Sequence, residues 1–313
     1  MRIHYTLQTL PPHIQTFVTV GTFDGVHLGH AAMLRNMVDQ AKQVNAQTVV
    51  LSFHPHPKKV LFPESDPLPQ IQSMEEKIAS LTALGIDHFV LLDFTLEMAQ
   101  LSAQEYVNKV IVEGLHTTCL YMGYDHRFGK NRVGDIQLMR YLGEIHGFEV
   151  VQIPAIQIGD ITVSSTKVRA AIAAGEIVEA NIMLDRPFEI SGEVIHGHQL
   201  GRKLGFPTAN LSVSGEDKIL PAPGVYAATW RESGKIHPVA LNIGYRPTVN
   251  TAPTLQVEAY ILDWSGDLYG KSITLEIHER LRGELKFNGL DALVQKIQED
   301  VEWIKNWFSS FVA

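Results

Sequence analysis

The stretch FVTVGTFDGVHLGH at residues 17–30 decides how the first half of the chain is read. Its opening residues, Phe17, Val18, Thr19 and Val20, form an apolar run that reads as a buried strand ending at Gly21. His27 and His30 then fall at the start of the helix that follows, three residues apart and so on one side of it. Helix N-termini favour anions through unpaired backbone N–H groups and the helix dipole. Gly21 and Gly25 permit a tight turn and close backbone approach. A strand, a glycine turn and a helix start with two imidazoles predict a phosphate site.

Working outward, apolar runs at 48–53, 88–92, 118–122 and 148–153 have strand length and are bounded by turn residues. Helical stretches separate them. Ser73 with Glu76 and Ser102 with Glu105 have the spacing of capping boxes that open helices. Gly85, Gly114, Gly147 and Gly175 stand where left-handed C-caps would close them. This alternation predicts an α/β domain with a doubly wound parallel sheet over residues 1–185, whose ligands lie at the carboxyl ends of the strands. A second anion-binding element is VSSTKVR at 163–169, after a predicted strand at 160–163 and opening a helix.

From Arg186-Pro187 the signals change. Period-two or β-rich runs at 188–195, 224–230, 237–243, 255–262 and 272–278 are separated by Gly-, Pro- and Asn-rich turns. They predict a small antiparallel β-barrel over 186–313. Residues 289–311 read as a terminal helix, with Leu293, Ile297, Val301 and Ile304 as its apolar stripe and Trp303 and Trp307 beside it. GHQLGRKLGFPTAN at 197–210 is a glycine-rich loop running into a short β segment. Its glycines let backbone amides surround phosphates. Thr208 and Asn210, two apart, point to one side of an extended chain and suit two oxygen ligands of one Mg²⁺.

Composition narrows the classes. The chain has 313 residues, 45% hydrophobic, and a formal net charge of −8, which argues against a general nucleic-acid binder. Its apolar runs are too short for a membrane span, and the first residues lack a signal-peptide pattern. The single cysteine, Cys119, rules out an intrachain disulfide and lies in an apolar stretch, as a buried, inert thiol would. A cytoplasmic protein, monomeric or weakly homo-oligomeric, is expected. His54 and His56 suggest a metal, but no third ligand is evident.

The first half resembles the nucleotidylyltransferase superfamily. Its strings GTFDGVHLGH, FHPHP (53–57), MGYDHRFGKNRVGD (122–135) and VSSTKVR are similar to those of the flavin-adenylylating branch. That resemblance implies FMN + ATP → FAD + pyrophosphate. It implies an ATP site of Gly21, Phe23, Asp24, His27 and His30 with Ser164, Ser165, Thr166 and Arg169. Asp125, Arg127 and Phe128 would lie near the flavin end or a magnesium ion. A phosphate monoester with a second pKa of about 6 is already a dianion at pH 7. FMN therefore needs no general base, only charge neutralisation and in-line positioning, with His27, His30 and Arg169 as donors.

The second half resembles riboflavin kinase in GHQLGRKLGFPTAN, PAPGVYA (221–227), NIGYRPT (242–248), VEAYILDWSGDLYG (257–270) and LRGELKF (281–287). The resemblance implies phosphorylation of riboflavin by ATP, with Gly201, Gly205 and Pro207 at the ATP, Thr208 and Asn210 on Mg²⁺, and Arg282 at the flavin. A primary hydroxyl is about as weak an acid as water, so a positioned base should help by ~10²–10⁴-fold. The resemblance makes that base Glu258. Together the halves resemble the bifunctional riboflavin kinase/FMN adenylyltransferase family. Two other readings stay open: a nucleotidylyltransferase for another phosphorylated acceptor, and a non-catalytic flavin carrier.

Overall fold

A computed structural model describes every residue except 12–14, 67, 125, 160, 198–200, 202–203, 216, 247–253 and 312–313, and the side chains of 246, 254 and 311. Its contacts divide the chain into two units, Met1–Leu68 with Lys77–Ser164, and Pro69–Glu76 with Ser165–Ala313. No helix among the described residues is long and apolar enough to cross a membrane.

The first unit is built on a six-stranded sheet: β1 (Arg2–His4), β2 (Thr16–Val20), β3 (Gln47–His54), β4 (His88–Asp93), β5 (Thr117–Gly123) and β6 (Glu149–Ile153). The order is β1-β4-β3-β2-β5-β6 and every pairing is parallel. Strands covered on both faces read as continuous apolar runs, as Val49-Val50-Leu51 does. Between them lie α1 (Leu28–Gln43), α2 (Pro57–Leu61), α3 (Met74–Ala83), α4 (Leu96–Ala99), α5 (Ala103–Tyr106) and α6 (Ile136–His146). The strand order reverses direction beside β2, the switch point at which open α/β sheets bind ligands.

Both capping boxes form. Ser73 Oγ accepts from the Glu76 N–H at 3.2 Å, and the Glu76 carboxylate accepts from the Ser73 N–H at 3.0 Å; Ser102 and Glu105 do the same. Gly85, Gly147 and Gly175 take positive φ as helix ends require, but Gly114 does not. The left-handed residue there is His116, with φ 52°. Gly114 is needed for space: a Cβ would press on Leu7 and on the Lys109 and Val110 carbonyls. The strand expected at 160–163 reduces to β8 (Ile161–Thr162), paired antiparallel with β7 (Gln157–Ile158); Asp160 lies outside the described residues.

The edge strand β1, too short for a period to be read, is held by a polar chain centred on two buried histidines. His4 Nε2 lies 2.9 Å from His88 Nδ1, His88 Nε2 lies 2.7 Å from Gln47 Oε1, and His4 Nδ1 lies 3.0 Å from Thr9 Oγ1. Burial, before any charge effect, lowers both imidazole pKa values.

The second unit holds α7 (Ser165–Ala174), α8 (Ile177–Leu184), β9 (Phe188–Ile195), β10 (Ala209–Val213), β11 (Gly224–Glu232), β12 (Lys235–Arg246), β13 (Thr254–Ile261), β14 (Ser272–Gly283) and α9 (Leu290–Phe311). The six strands close into an antiparallel barrel, β10-β13-β12-β11-β14-β9. Strand β10, starting inside Pro-Thr-Ala-Asn, completes it. Helix α9 lays Ile304, Val301 and Trp307 on Ala227, Ala240, Tyr260 and Leu262. Burying a side chain such as Ile304 stabilises by about 1.5–3 kcal/mol. Residues 165–184 pack with the barrel, where Asn181 Nδ2 donates to the Ile277 carbonyl at 2.9 Å and its Oδ1 accepts from the Phe188 N–H at 2.7 Å.

Residues 69–76 belong to this unit as well. Gln70 N–H donates to the Asp217 carbonyl at 2.6 Å, and Ile219 N–H to the Gln70 carbonyl at 2.8 Å. Glu76 forms a buried ion pair with Lys218 and accepts from the Ser191 N–H at 3.1 Å. Lys218 also donates to the Ile71 carbonyl at 2.8 Å.

Two outcomes follow. Glu76→Ala leaves a buried ammonium without its counter-charge and should cost about 3–5 kcal/mol. All four tryptophans, 230, 264, 303 and 307, lie in the second unit, so urea unfolding followed by tryptophan fluorescence measures it. For the histidine pair the folded pKa values lie below the unfolded value of about 6.5, so unfolding takes up protons. Its contribution is whole above pH 6.5 and is lost as pH falls through that value toward the folded pKa values. The urea midpoint by far-UV circular dichroism should therefore drop less between pH 7.5 and 5.5 in His4→Gln/His88→Gln than in the parent.

Candidate active sites

In the first unit the loop after β2 is strained and buried. Phe23 and Val26 take φ of 45° and 38°, and Gly25 takes 85°. A β-branched valine at positive φ is a rare conformation that surrounding structure must enforce. Phe23, Asp24 and Val26 are all buried, Asp24 completely. Phe23 thus supports from within: its ring lies 5.1 Å from that of His30 and closes on Gly21, where a Cβ would sit 3.2 Å away.

His27 is the N-cap of α1, its Nδ1 accepting from the His30 N–H at 3.4 Å. The His27 and His30 rings stack at 3.8 Å and 16°. Gly29 leaves room for them, since a Cβ there would lie 3.2 Å from His27. Burial first, then His27, then the ammonium of Lys77 hold the His30 pKa well below the ordinary imidazole range. In the ligand-free protein His30 is therefore neutral at pH 7, not the cation that a bound phosphate would favour. Its Nδ1 is buried with no hydrogen-bond partner among the described residues. Lys77, which the sequence reading did not single out, reaches the loop from α3 and donates to the Thr22 carbonyl at 2.8 Å.

The other expected residues of this site fall as follows. Ser164 ends the first unit; Ser165 and Thr166 open α7 and Arg169 follows a turn later, in the second unit. Arg127 is half exposed and pairs with Asp135 at 3.3 Å. Phe128 is only 5% exposed and packs in the core beside Tyr106, so it presents no ring at the surface. Asp125 lies outside the described residues. His56 caps α2 by accepting from the Lys58 N–H at 3.1 Å. No group of three or more His, Cys, Asp or Glu side chains placed to hold a metal occurs among the described residues.

In the second unit the strand register assembles the site. Asn210 on β10 lies directly opposite Glu258 on β13, and Glu258 lies directly opposite Asn242 on β12. Directly opposed residues share one face of a sheet, so Glu258 stands between two carboxamides. Val257 and Ala259, which alternate with it, are buried. No hydrogen bond or ion pair engages the Glu258 side chain among the described residues. Asn242 was visible in NIGYRPT, but only the pairing of β12 with β13 brings it to Glu258.

The glycines act by proximity. A Cβ at Gly197 would overlap the Asn210 carboxamide, and one at Gly201 would overlap the Phe206 carbonyl and sit 3.3 Å from Thr208 Oγ1. Gly205 turns the loop at φ 89°, with Phe206 N–H bonded to the Gly201 carbonyl at 2.8 Å and Pro207 exposed beyond it. Arg282 is already engaged: Nε and Nη2 hold Asp300 of α9 at 2.9 and 2.6 Å, and Nη1 donates to the Gly283 carbonyl at 3.0 Å. It clamps the terminal helix to the barrel. Trp307 packs with His278, while Trp303 is partly exposed.

A buried, strained loop at the switch point of a parallel sheet, and a barrel carboxylate unengaged among the described residues beside two carboxamides, fit a two-site nucleotide enzyme. The family model for FAD synthetase matches residues 10–167, and that for riboflavin kinase matches residues 184–308. A bifunctional riboflavin kinase/FMN adenylyltransferase of Pseudomonas fluorescens is 36% identical over 93% of this chain and 92% of its own. One of Listeria monocytogenes is 36% identical over 95% and 93%. A crystal structure described as a macrolide-efflux protein from Streptococcus pneumoniae superimposes with a TM-score of 0.87 at 27% identity, covering 97% of this chain and 98% of that one. The chain belongs to the bifunctional riboflavin kinase/FMN adenylyltransferase family, with the adenylyltransferase part first and the kinase part second. ATP is the co-substrate that both parts imply.

Gly197→Ala is expected to displace the Asn210 carboxamide and reduce FMN formation on the order of 100-fold, the scale of an ångström's misplacement. FAD formation from supplied FMN should stay within about twofold. Chromatographic assay of both flavins checks this.

Proposed function

We propose that the functional halves are residues 1–185 and 186–313, and that each uses the side chains on which the two resemblances converge. In the kinase half Glu258 accepts the proton of the riboflavin 5′-hydroxyl. That oxygen bonds to the γ-phosphorus of ATP, the bond to the β,γ-bridging oxygen breaks, and ADP leaves. The observation that carries this reading is the register that sets an unengaged Glu258 between Asn210 and Asn242. Gly201, Gly205 and Pro207 shape the loop over the ATP phosphates.

Mg²⁺ fits this half. Thr208 Oγ1 and Asn210 Oδ1 are hard, neutral oxygens, each with a glycine beside it: Gly201 next to Thr208 and Gly197 next to Asn210. Mg²⁺ ordinarily keeps waters and takes phosphate oxygens beside a few protein ligands, so a two-oxygen set suits a cation arriving with ATP. When bound it would neutralise charge on the β- and γ-phosphates.

In the adenylyltransferase half an FMN phosphate oxygen attacks the α-phosphorus of ATP and pyrophosphate leaves. His27 and His30 donate hydrogen bonds to phosphate oxygens. His30 enters as a neutral donor, and an adjacent anion raises its pKa. Gly21, Phe23 and Asp24 form the loop; Ser164, Ser165, Thr166 and Arg169 supply the second anion-binding element. Arg127 serves the flavin side with Asp125. A cytoplasmic chain, monomeric or weakly self-associating, accords with a lone Cys119 whose thiol burial pushes up to about 12.

Glu258→Gln should reduce FMN formation by ~10²–10⁴-fold and leave FAD synthesis from FMN intact. His30→Ala should do the reverse, so that FMN accumulates from riboflavin. Loss of both activities in either folded variant would overturn the assignment.

A further inference from the structure

Lys77 occupies a position where an amphipathic helix would carry an apolar side chain. It shares the inward face of α3 with Leu81, one turn on, and is only 6% exposed. Burying an ammonium is unfavourable unless something meets it. Two groups do: the Thr22 carbonyl at 2.8 Å, and the fully buried Asp24, whose charge offsets the desolvation of Lys77. Both belong to the loop in which Phe23 and Val26 are forced to positive φ. Such residues cost roughly 1–3 kcal/mol each and persist only where neighbours hold them. Ser52 Oγ also donates to the Thr22 carbonyl at 3.5 Å, Val26 N–H to the Phe23 carbonyl at 3.4 Å, and Gly21 N–H to the Leu51 carbonyl at 3.0 Å.

The same ammonium acts on His30. The titratable groups facing that imidazole are His27, stacked on it, and Lys77; Lys77 in turn faces Asp24. We propose that Lys77 is a positioning residue of the adenylyltransferase site, fixing from within the loop that leads into His27 and His30 and keeping a positive charge beside the His30 ring. This rests on the assignment of residues 21–30 to adenylyl transfer. Before nucleotide binds, two cations in contact would repel and disorder the pair; with Lys77 charged, His30 stays a neutral donor until the triphosphate arrives.

The test uses the full chain with ¹³C-labelled histidine and three variants. Lys77→Met removes bond and charge, Lys77→Gln removes the charge but keeps a donor for the Thr22 carbonyl, and Lys77→Arg keeps the charge. FAD formation from FMN and ATP should fall on the order of 10–100-fold in Lys77→Met and less in Lys77→Gln, with FMN formation from riboflavin unchanged. The His30 titration midpoint, assigned by its absence in His30→Ala, should rise by roughly 0.5–1 unit in both neutral variants and stay put in Lys77→Arg. A purely structural lysine would lower activity without moving that midpoint. Wild-type FAD synthesis in a folded neutral variant, or an unmoved midpoint, overturns the proposal. If Lys77→Met does not fold, Lys77→Gln decides alone. If His30→Ala itself retains FAD synthesis, the site assignment fails; if only the Lys77 results fail, the assignment stands and Lys77 is excluded.

Discussion

A side chain that must meet a phosphate or take up a proton has to stand without a partner until its substrate arrives. On the assignment proposed above, each unit bears that constraint at one point: in the first, His30 Nδ1, buried and without a hydrogen-bond partner among the described residues; in the second, the half-buried Glu258 carboxylate. An unmade hydrogen bond on a buried group such as His30 costs about 1–3 kcal/mol, so its surroundings must be firmly bonded. His27 caps the helix that carries His30, and Glu258 lies in a barrel whose strand pairing closes completely.

The two halves meet the constraint with different architecture. In the parallel sheet, donors collect where a strand ends and a helix begins, so a single loop sets the geometry. In the barrel, residues from three neighbouring strands meet on one face, so register sets it. Glycine serves both, but differently. Gly25 supplies a left-handed turn, whereas Gly197 and Gly201 supply emptiness next to Asn210 and Thr208.

Much of this was legible in the sequence because it depends on local pattern. Five of the six parallel strands, both capping boxes and the terminal helix follow from periodicity and short-range spacing. What was not legible depends on partners distant along the chain. Nothing local says that Lys77 turns inward to Thr22, 55 residues away, or that Asn242 faces Glu258. The motifs that make Arg282 and Phe128 candidate flavin residues do not show that Arg282 also holds Asp300 or that Phe128 packs beside Tyr106. Gly114 looked like a helix stop, and its reason is Leu7. Segment 69–76 carried a readable cap, but not its membership of the barrel unit.

The Glu76–Lys218 pair sets a schedule for biosynthesis. Its members are 142 residues apart, and a ribosome adding about 5–20 residues per second needs roughly 7–28 s to go from one to the other. Throughout that interval the Glu76 carboxylate remains hydrated, because the ammonium that will accompany it out of water has not been polymerised. A nascent chain thus locks an early segment only late, and the N-terminal position of residues 69–76 gives them no head start in folding.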